Sequence, residues 1–171
     1  VSVSAHEVAF TFSNIGAGVS SIEGLYFDDG TLLGISQIID ADEGVGGLTG
    51  VDFTAGSASP PELPRAQNLT PAFETTAGFL ADSDAPTVKN GVNLNEWVTV
   101  IFALQSGGTY DDVITELSNG ELRVGLHVIG FASGGSESLI NDMTVAPVPV
   151  PAAFWLLASG LAGLGVLRRK A

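Results

Sequence analysis

Apolar and polar side chains alternate over several stretches of this chain, the pattern of half-buried β-strands. The first stretch places Val8, Phe10 and Phe12 on one face, with smaller or polar residues between them. Two more stretches, within residues 20–39, flank the sequence Asp-Asp-Gly at 28–30. Because Asp-Gly supplies the positive φ angles of a tight turn, we expect these two strands to pair as a β-hairpin.

Two further long strands and one helix are predicted later in the chain. Residues 97–104 form a continuous apolar run, which favours a strand buried on both faces, and residues 122–129 alternate. Between these strands, Thr109 can cap a helix with an acidic first turn, and Asn119 and Gly120 can end it. The apolar stripe of this helix comprises Tyr110, Val113, Ile114 and Leu117.

Shorter strands and polar loops account for the rest of the body. Short strands are predicted at residues 51–56, within 73–86 and at 137–145. Residues 60–71 contain four prolines and predict a long surface loop, because proline cannot donate to a β-ladder. Seven or eight short strands with one short surface helix predict an all-β fold, an antiparallel β-sandwich, for residues 1–146. The pattern leaves the order of the strands open.

Charge divides the chain into two unlike parts. Nineteen acidic and three basic side chains give residues 1–146 a formal charge of −16, whereas residues 147–171 carry three basic side chains and no acidic one. An acidic body repels nucleic acid, so we exclude nucleic acid as a partner. Acidic loops suit calcium, which prefers oxygen ligands, although solvated loops are the alternative. The candidate calcium ligands are Asp40, Asp42, Glu43, Asp82 and Asp84.

Side chains that perform catalysis are scarce in this sequence. There is no cysteine, which excludes disulfides, thiolate catalysis and zinc–thiolate sites. The two histidines, His6 and His127, have no partner at the spacing of a metal site or hydrolase motif, and we expect His127 to be a satisfied strand residue. The neighbouring carboxylates at 28–29 and 111–112 fit a turn and a helix start better than a glycosidase pair. We therefore predict a protein that is not an enzyme.

Sugar binding is a second ligand class that the residues leave open. Aromatic side chains can stack on sugars where they are exposed, and the candidates are Tyr26, Trp97 and Tyr110. Trp97 begins a core-like strand and Tyr110 lies on the helix stripe, so we expect both to belong to the core.

Residues 147–171 form a distinct ending. Three prolines make residues 147–151 a stiff, extended linker. Residues 152–167 carry no charge, and as a helix they would span about 24 Å. Snorkelling of the flanking residues would close most of the gap to the ~30 Å hydrocarbon core of a membrane. A buried core helix is the alternative for a run of this length.

The two ends of this predicted C-terminal hydrophobic helix, residues 152–171, differ. The basic stop at Arg168, Arg169 and Lys170 favours a cytoplasmic C-terminus with the acidic body outside. Small residues at four-residue spacing allow close contact with another helix. The residues that we assign to membrane insertion or assembly are Phe154, Trp155, Ala158, Ser159, Ala162 and Gly163.

Three ordered parts make up this ending: a Pro-rich opening, VPVPAA, an apolar helix, FWLLASGLAGLGVL, and a basic stop, RRKA. Together they resemble the bacterial PEP-CTERM sorting signal. The sorting motif falls on Val148, Pro149, Val150 and Pro151, with Val150 where the family usually has Glu. The resemblance implies export and recognition by an exosortase, a membrane protease-transpeptidase, usually in species that secrete exopolysaccharide. Body segments such as LYFDDG and GVNLNE are similar to domains that often precede this signal.

These observations predict a non-enzymatic, exported structural protein of the cell surface or extracellular matrix. Its C-terminal helix would lie in the inner membrane before any processing, and would tether the protein or assemble it into a layer or filament. The first ten residues have neither a basic n-region nor an apolar h-region, so we expect any secretory signal to have been removed already. The alternatives are a carbohydrate-binding module for secreted polysaccharide and a single-pass accessory subunit of a membrane complex.

Overall fold

The computed structural model describes residues 3–16, 18–40, 50–56, 62–75 and 79–141, and the strands among them form two antiparallel sheets. Within these residues the strands are β1 (Glu7–Ser13), β2 (Ser21–Asp29), β3 (Leu32–Asp40), β4 (Phe53–Ala55), β5 (Leu80–Ser83), β6 (Trp97–Leu104), β7 (Leu122–Ile129) and β8 (Ser136–Ile140). The helices are α1 (Thr87–Asn90) and α2 (Tyr110–Asn119), with a 3₁₀-helix at Ala66–Asn68. The all-β prediction is confirmed. The predicted linker, 147–151, and C-terminal helix, 152–171, lie outside the described residues.

The two sheets pack face to face in a sandwich-like arrangement. One sheet has the order β1-β6-β3 and the other has the order β4-β5-β2-β7-β8. Aromatic rings from both sheets meet between them: Phe27 of β2 and Phe102 of β6 are edge to face, with ring centroids 4.5 Å apart. Phe10 of β1 lies 5.2 Å from Phe27, and Phe79 stacks on Phe102 at 6.1 Å. This aromatic cluster forms the centre of the main core.

Strand β6 is buried on both faces, as its apolar run predicts. Val98, Val100 and Phe102 belong to the core between the sheets and are fully buried. Thr99 and Ile101 point to the opposite face and are only 1% and 3% exposed. A central position between β1 and β3 explains this burial, because side chains of both neighbours flank the strand.

The predicted hairpin at residues 20–39 is wrong. A tight turn does lie between β2 and β3, with Gly30 at a φ of 48°. However, β2 pairs with β5 and β7, whereas β3 pairs with β6 in the other sheet. The chain crosses from one sheet to the other at this turn. A turn sequence reverses the chain, but the pairing of each strand depends on partners that are distant in sequence.

Helix α2 is fixed at both ends by hydrogen bonds. At its start, Thr109 Oγ1 accepts from the backbone N–H of Asp112 at 3.3 Å, and the Asp112 carboxylate accepts from the backbone N–H of Thr109 at 2.8 Å. This confirms the predicted cap. Near its end, Glu116 Oε2 accepts from the backbone N–H and the hydroxyl of Thr31 at 2.8 and 2.9 Å. The helix therefore stabilises the turn at which the chain changes sheets.

The apolar stripe of α2 is narrower than predicted. Val113 is fully buried and Leu117 packs against the core, but Tyr110 and Ile114 are 61% and 44% exposed. Trp97, at the first position of β6, is 37% exposed. The prediction that Tyr110 and Trp97 belong to the core is therefore wrong. Both residues lie at the end of an element, where the neighbouring layer no longer covers them.

Candidate functional site

A second, smaller core lies on the outer face of the five-stranded sheet, under the Pro-rich loop. The loop predicted at residues 60–71 is described from residue 62, and residues 62–75 do lie between β4 and β5. Leu69 is 39% exposed, but Leu63, Ala66 and Phe73 are buried, contrary to the expectation of a surface loop. They pack on Tyr26, which is fully buried. The loop therefore acts as a covering layer. The buried members of this outer core are Tyr26, Leu63, Ala66, Phe73 and Leu80.

Two glycines allow this layer to lie close to the sheet. A Cβ on Gly24 of β2 would lie 2.8 Å from the ring carbon Cε2 of Tyr26. A Cβ on Gly125 of β7 would lie 2.5 Å from Cδ2 of Leu63. Both distances are shorter than 3.0 Å, and real Cβ atoms essentially never lie that close to another heavy atom. The absence of a side chain at these two positions makes room for the tyrosine ring and the loop.

Arg123 of β7 joins the sheet to the loop. Its Nε donates to Oδ2 of Asp28 at 3.0 Å, and its Nη2 contacts the same oxygen. Its Nη1 donates to the carbonyl of Pro71 at 2.9 Å, and its Nη2 also donates to the carbonyl of Ala72. The guanidinium lies 5.3 Å from the centre of the Phe73 ring. The planar guanidinium has enough fixed N–H donors to bond to all these acceptors at once, whereas a lysine ammonium does not.

His127 and Glu23 form a buried pair next to Gly24. Nδ1 of His127 lies 2.7 Å from Oε1 of Glu23, and the two side chains are 9% and 11% exposed. Burial raises the pKa of the Glu23 carboxyl, the nearby His127 lowers it, and the charge of Asp82 raises it further. Burial and the same Asp82 also raise the pKa of the Tyr26 phenol. His127 is thus a strand residue, as predicted, with a carboxylate close by. Its buried Nδ1 has no partner in hydrogen-bond geometry, so the prediction of a satisfied histidine is not confirmed.

A histidine beside a carboxylate, as in this pair, is an arrangement that also occurs in acid–base catalytic sites. Here both side chains are at most 11% exposed, so a substrate could not reach them without displacing their covering. They instead link β2 to β7, at the register shift between Ile22 and Gly24. A buried contact at this irregularity holds the two strands where the ladder is interrupted.

We expect the Glu23 carboxyl to make the protein less stable as the pH rises. Its pKa is raised above the ordinary value of 4.5, so the folded state holds this proton more tightly than the unfolded state does. Its stabilising contribution is complete below pH 4.5 and is lost as the pH rises through the folded-state pKa. The measurement is urea unfolding of the full-length chain and of Glu23→Gln, in steps from about pH 4 to about pH 6. The difference in unfolding free energy, wild type minus variant, should fall across this range.

Glu7 provides a control of opposite sign. It is a partly exposed residue at the start of β1, and hydrogen bonds from Ser4 lower the pKa of its carboxyl. Its contribution is therefore present above pH 4.5 and is lost as the pH falls. Glu7→Gln should change the pH dependence in the direction opposite to Glu23→Gln. Parallel curves for the wild type and Glu23→Gln would contradict the assignment.

An open groove of about 460 Å³ lies between the covering loop and β8. Its floor continues the outer face, because Ser138 pairs with His127 and Ile140 pairs with Gly125. Arg65 is exposed at its wall, with a φ of 68°, a left-handed conformation uncommon for residues other than glycine. One cation, one carboxylate, one hydroxyl and apolar surface can bind a small polar molecule such as a sugar. The groove is lined by Pro64, Arg65, Ala66, Leu69, Glu137, Ser138 and Ile140.

The predicted calcium ligands fall partly inside the described residues. Asp42 and Glu43 lie outside them, and Asp40 is the last residue of β3. Asp84 Oδ2 accepts from the hydroxyl of Thr54 at 3.0 Å, and Asp82 lies beside the Glu23 carboxyl. In the part of the chain that the structure covers, no group of three or more histidine, aspartate or glutamate side chains could hold a metal ion. Calcium binding stays a prediction.

The predicted sorting motif, the assembly helix and the basic stop all lie beyond Asn141, outside the described residues. Among the helices that the structure does describe, none has the length and apolar character needed to cross a membrane. Comparison of the chain with family models, curated proteins and solved structures gave no match. The resemblance to the PEP-CTERM signal therefore depends on the sequence of residues 148–170 alone.

Proposed function

We propose that this protein is a non-enzymatic, exported structural protein of the cell surface or extracellular matrix. The observation that carries the proposal is the contrast between the two parts of the chain. Residues 1–146 carry a charge of −16, whereas residues 152–167 are uncharged and three cations follow them. An acidic β-domain favours water, and an uncharged helix with a basic end favours a membrane or an apolar partner. The tail would tether the domain or assemble it.

The arrangement of polar side chains in the domain supports a structural role. Arg123 and Asp28 connect the sheet to its covering loop, and His127 and Glu23 connect two strands. Each of these four side chains is engaged in contacts that hold the fold together. Such contacts stabilise a scaffold and leave these groups little access to a substrate.

The tail also leads us to propose processing by an exosortase, at the motif formed by residues 148–151. The family resemblance suggests this enzyme. Because Val150 stands where the family usually has Glu, a substitution at this residue tests whether the motif is recognised. Measuring the intact mass of the protein from its native source shows whether the tail is cleaved or retained. Loss of roughly the last 20 residues would identify a cleaved sorting label, and retention would identify a permanent anchor. Val150→Glu should increase the cleaved fraction if the motif is recognised.

Cell fractionation tests the proposal as a whole. The full-length chain is compared with a variant that ends at Ala146 and with a variant in which the basic stop, residues 168–170, is replaced by alanine. We expect the full-length chain in the membrane or extracellular fraction, and we expect the variant ending at Ala146 to leave the membrane. The alanine variant keeps the apolar run, so it should bind membranes with less uniform orientation. Intact wild-type protein in the cytosol would contradict the proposal.

The groove between the covering loop and β8 favours a second candidate function, binding of secreted polysaccharide. Its exposed cation, Arg65, can donate to sugar hydroxyls or acidic groups, and its carboxylate, Glu137, can accept from sugar hydroxyls. A glycan array with and without a calcium chelator tests this function. Arg65→Ala and Glu137→Ala should reduce binding, and Lys89→Ala, at an exposed cation away from the groove lining, should not. Equal, weak signals across neutral and acidic sugars would remove this candidate.

A further inference from the structure

The covering loop, residues 62–75, is attached to the sheet below it at few points. Among its described side chains, three are buried, namely Leu63, Ala66 and Phe73. The backbone hydrogen bonds that the structure gives to this loop all lie within the loop, as from the N–H of Phe73 to the carbonyl of Ala66 at 3.3 Å. No main-chain ladder therefore joins the described part of the loop to the strands beneath it.

The main core of the sandwich does not depend on this loop. That core lies between the two sheets, and no described residue of the loop belongs to it. The loop instead forms the separate outer core with Tyr26 and Leu80, on the opposite face of the five-stranded sheet. If the loop were to open, it would uncover this outer face and leave the contacts between the sheets in place.

Arg123 supplies the polar attachment between loop and sheet. Its guanidinium donates to the carbonyls of Pro71 and Ala72. The structure gives no other hydrogen bond between the described parts of the loop and the sheet. Asp28, which pairs with Arg123 in the ladder of β2 and β7, binds the same guanidinium from the side of the sheet. The sheet therefore holds the arginine in position whether or not the loop covers it.

We propose that residues 62–75 open and close as one unit, with Arg123 as the latch, while the two sheets stay folded. The closed loop is the state that the structure shows, with the ring of Tyr26 fully buried beneath it. The open loop exposes this ring together with Gly24 and Gly125, the two positions where the sheet has no side chain. Tyr26 is accessible to a ligand only in the open state.

The loop also controls the groove beside β8. Of the seven residues that line this groove, four belong to the loop, namely Pro64, Arg65, Ala66 and Leu69. The groove is therefore complete only while the loop is closed. A ligand of the groove would hold the loop closed, and by reciprocity a stronger latch would strengthen the binding of that ligand. This consequence rests on the second candidate function, whereas the opening of the loop does not.

Native-state hydrogen exchange of the full-length chain tests the proposal, in mild detergent and at urea concentrations that leave the chain folded. The probes in the loop are the amides of Ala66, Leu69 and Phe73, which are hydrogen bonded within it. The amide of Val100, in the central strand β6, reports global unfolding. We expect the three loop amides to share one opening free energy and one urea dependence, both smaller than those of Val100.

Two variants separate opening of the loop from unfolding of the sandwich. Phe102→Leu weakens the main core, so it should speed the exchange of Val100 by about tenfold. It should leave the loop amides unchanged, because the closed and open states lose the same core contacts. Arg123→Met acts on the latch and should speed the exchange of the loop amides by about tenfold or more. Lys89→Met, at an exposed cation outside the loop, should change neither set of amides.

Equal acceleration of the loop amides and Val100 in Phe102→Leu would mean that the loop opens only when the whole domain unfolds, and would overturn the proposal. Loop amides that exchange without any urea dependence would indicate separate fluctuations of single residues, and would also overturn it. Unchanged loop amides in Arg123→Met would overturn the role of Arg123 as the latch. No glycan is added in these measurements, so their result is independent of whether the groove binds polysaccharide.

Discussion

Replacement of Arg123 by methionine is expected to lower the free energy of unfolding by about 3 kcal/mol. The side chain of Arg123 is 11% exposed, and it neutralises Asp28, which is 23% exposed. It also donates to the carbonyls of Pro71 and Ala72, and it lies over the ring of Phe73. Methionine keeps the apolar stem and removes every one of these hydrogen bonds. It leaves a partly buried carboxylate without a counter-charge and a loop without its attachment.

Two matched variants separate these effects in urea unfolding of the full-length chain. Lys89→Met removes the same unit of charge from an exposed side chain, and it should change the unfolding free energy by less than about 0.5 kcal/mol. Arg123→Met combined with Asp28→Asn should recover part of the loss, because the unpaired charge is removed. If Arg123→Met were as stable as Lys89→Met, Arg123 would not be what holds the covering loop.

Replacement of Phe102 by alanine is expected to cost about 4 kcal/mol of unfolding free energy. Its ring is fully buried between the sheets. It contacts Phe27 at 4.5 Å, Phe10 at 5.8 Å and Phe79 at 6.1 Å, so its loss leaves a cavity bordered by three rings. Strands β6 and β2 are hydrogen bonded on both sides, so they cannot collapse fully into the space. The measurement is the midpoint and slope of urea unfolding.

A loss of this size approaches the whole stability of many domains, so Phe102→Leu provides a folded variant with a smaller expected effect, about 1–2 kcal/mol. Trp97→Ala, in the same strand, is the matched control. Its side chain is larger but 37% exposed, and we expect it to cost less than Phe102→Leu. Equal losses for Trp97→Ala and Phe102→Ala would contradict the placement of the core.

Several elements could be predicted almost residue by residue. The apolar run at 97–104 and the alternation at 122–129 match β6 and β7. The cap at Thr109 and the end of α2 at Gly120 are also as predicted. These features depend on neighbours a few positions apart, so the local pattern contains the information. The exposure of Trp97 could not be predicted in this way, because burial at the end of a strand depends on whether the neighbouring layer of the fold covers that position.

The contacts of the candidate site could not be predicted. Arg123 and Asp28 are 95 positions apart, and each has ordinary surroundings in the sequence. Glu23 reads as one polar residue in an apolar strand, and only the pairing of β2 with β7 brings it to His127. The best sequence signal for the covering loop was indirect. Gly24 and Gly125 lie within strand patterns, and a glycine inside a strand often marks the close approach of another segment.

The sequence by itself determined the class of elements, the acidic body and the uncharged, basic-ended tail, because periodicity and charge are local properties of the chain. Only the tertiary structure decided that the chain changes sheets at Gly30, and that a Pro-rich loop is pinned by Arg123 over the outer face of one sheet. Strand order and loop placement follow from which distant apolar surfaces bury each other best. Many pairings are compatible with the same alternation, and packing selects among them.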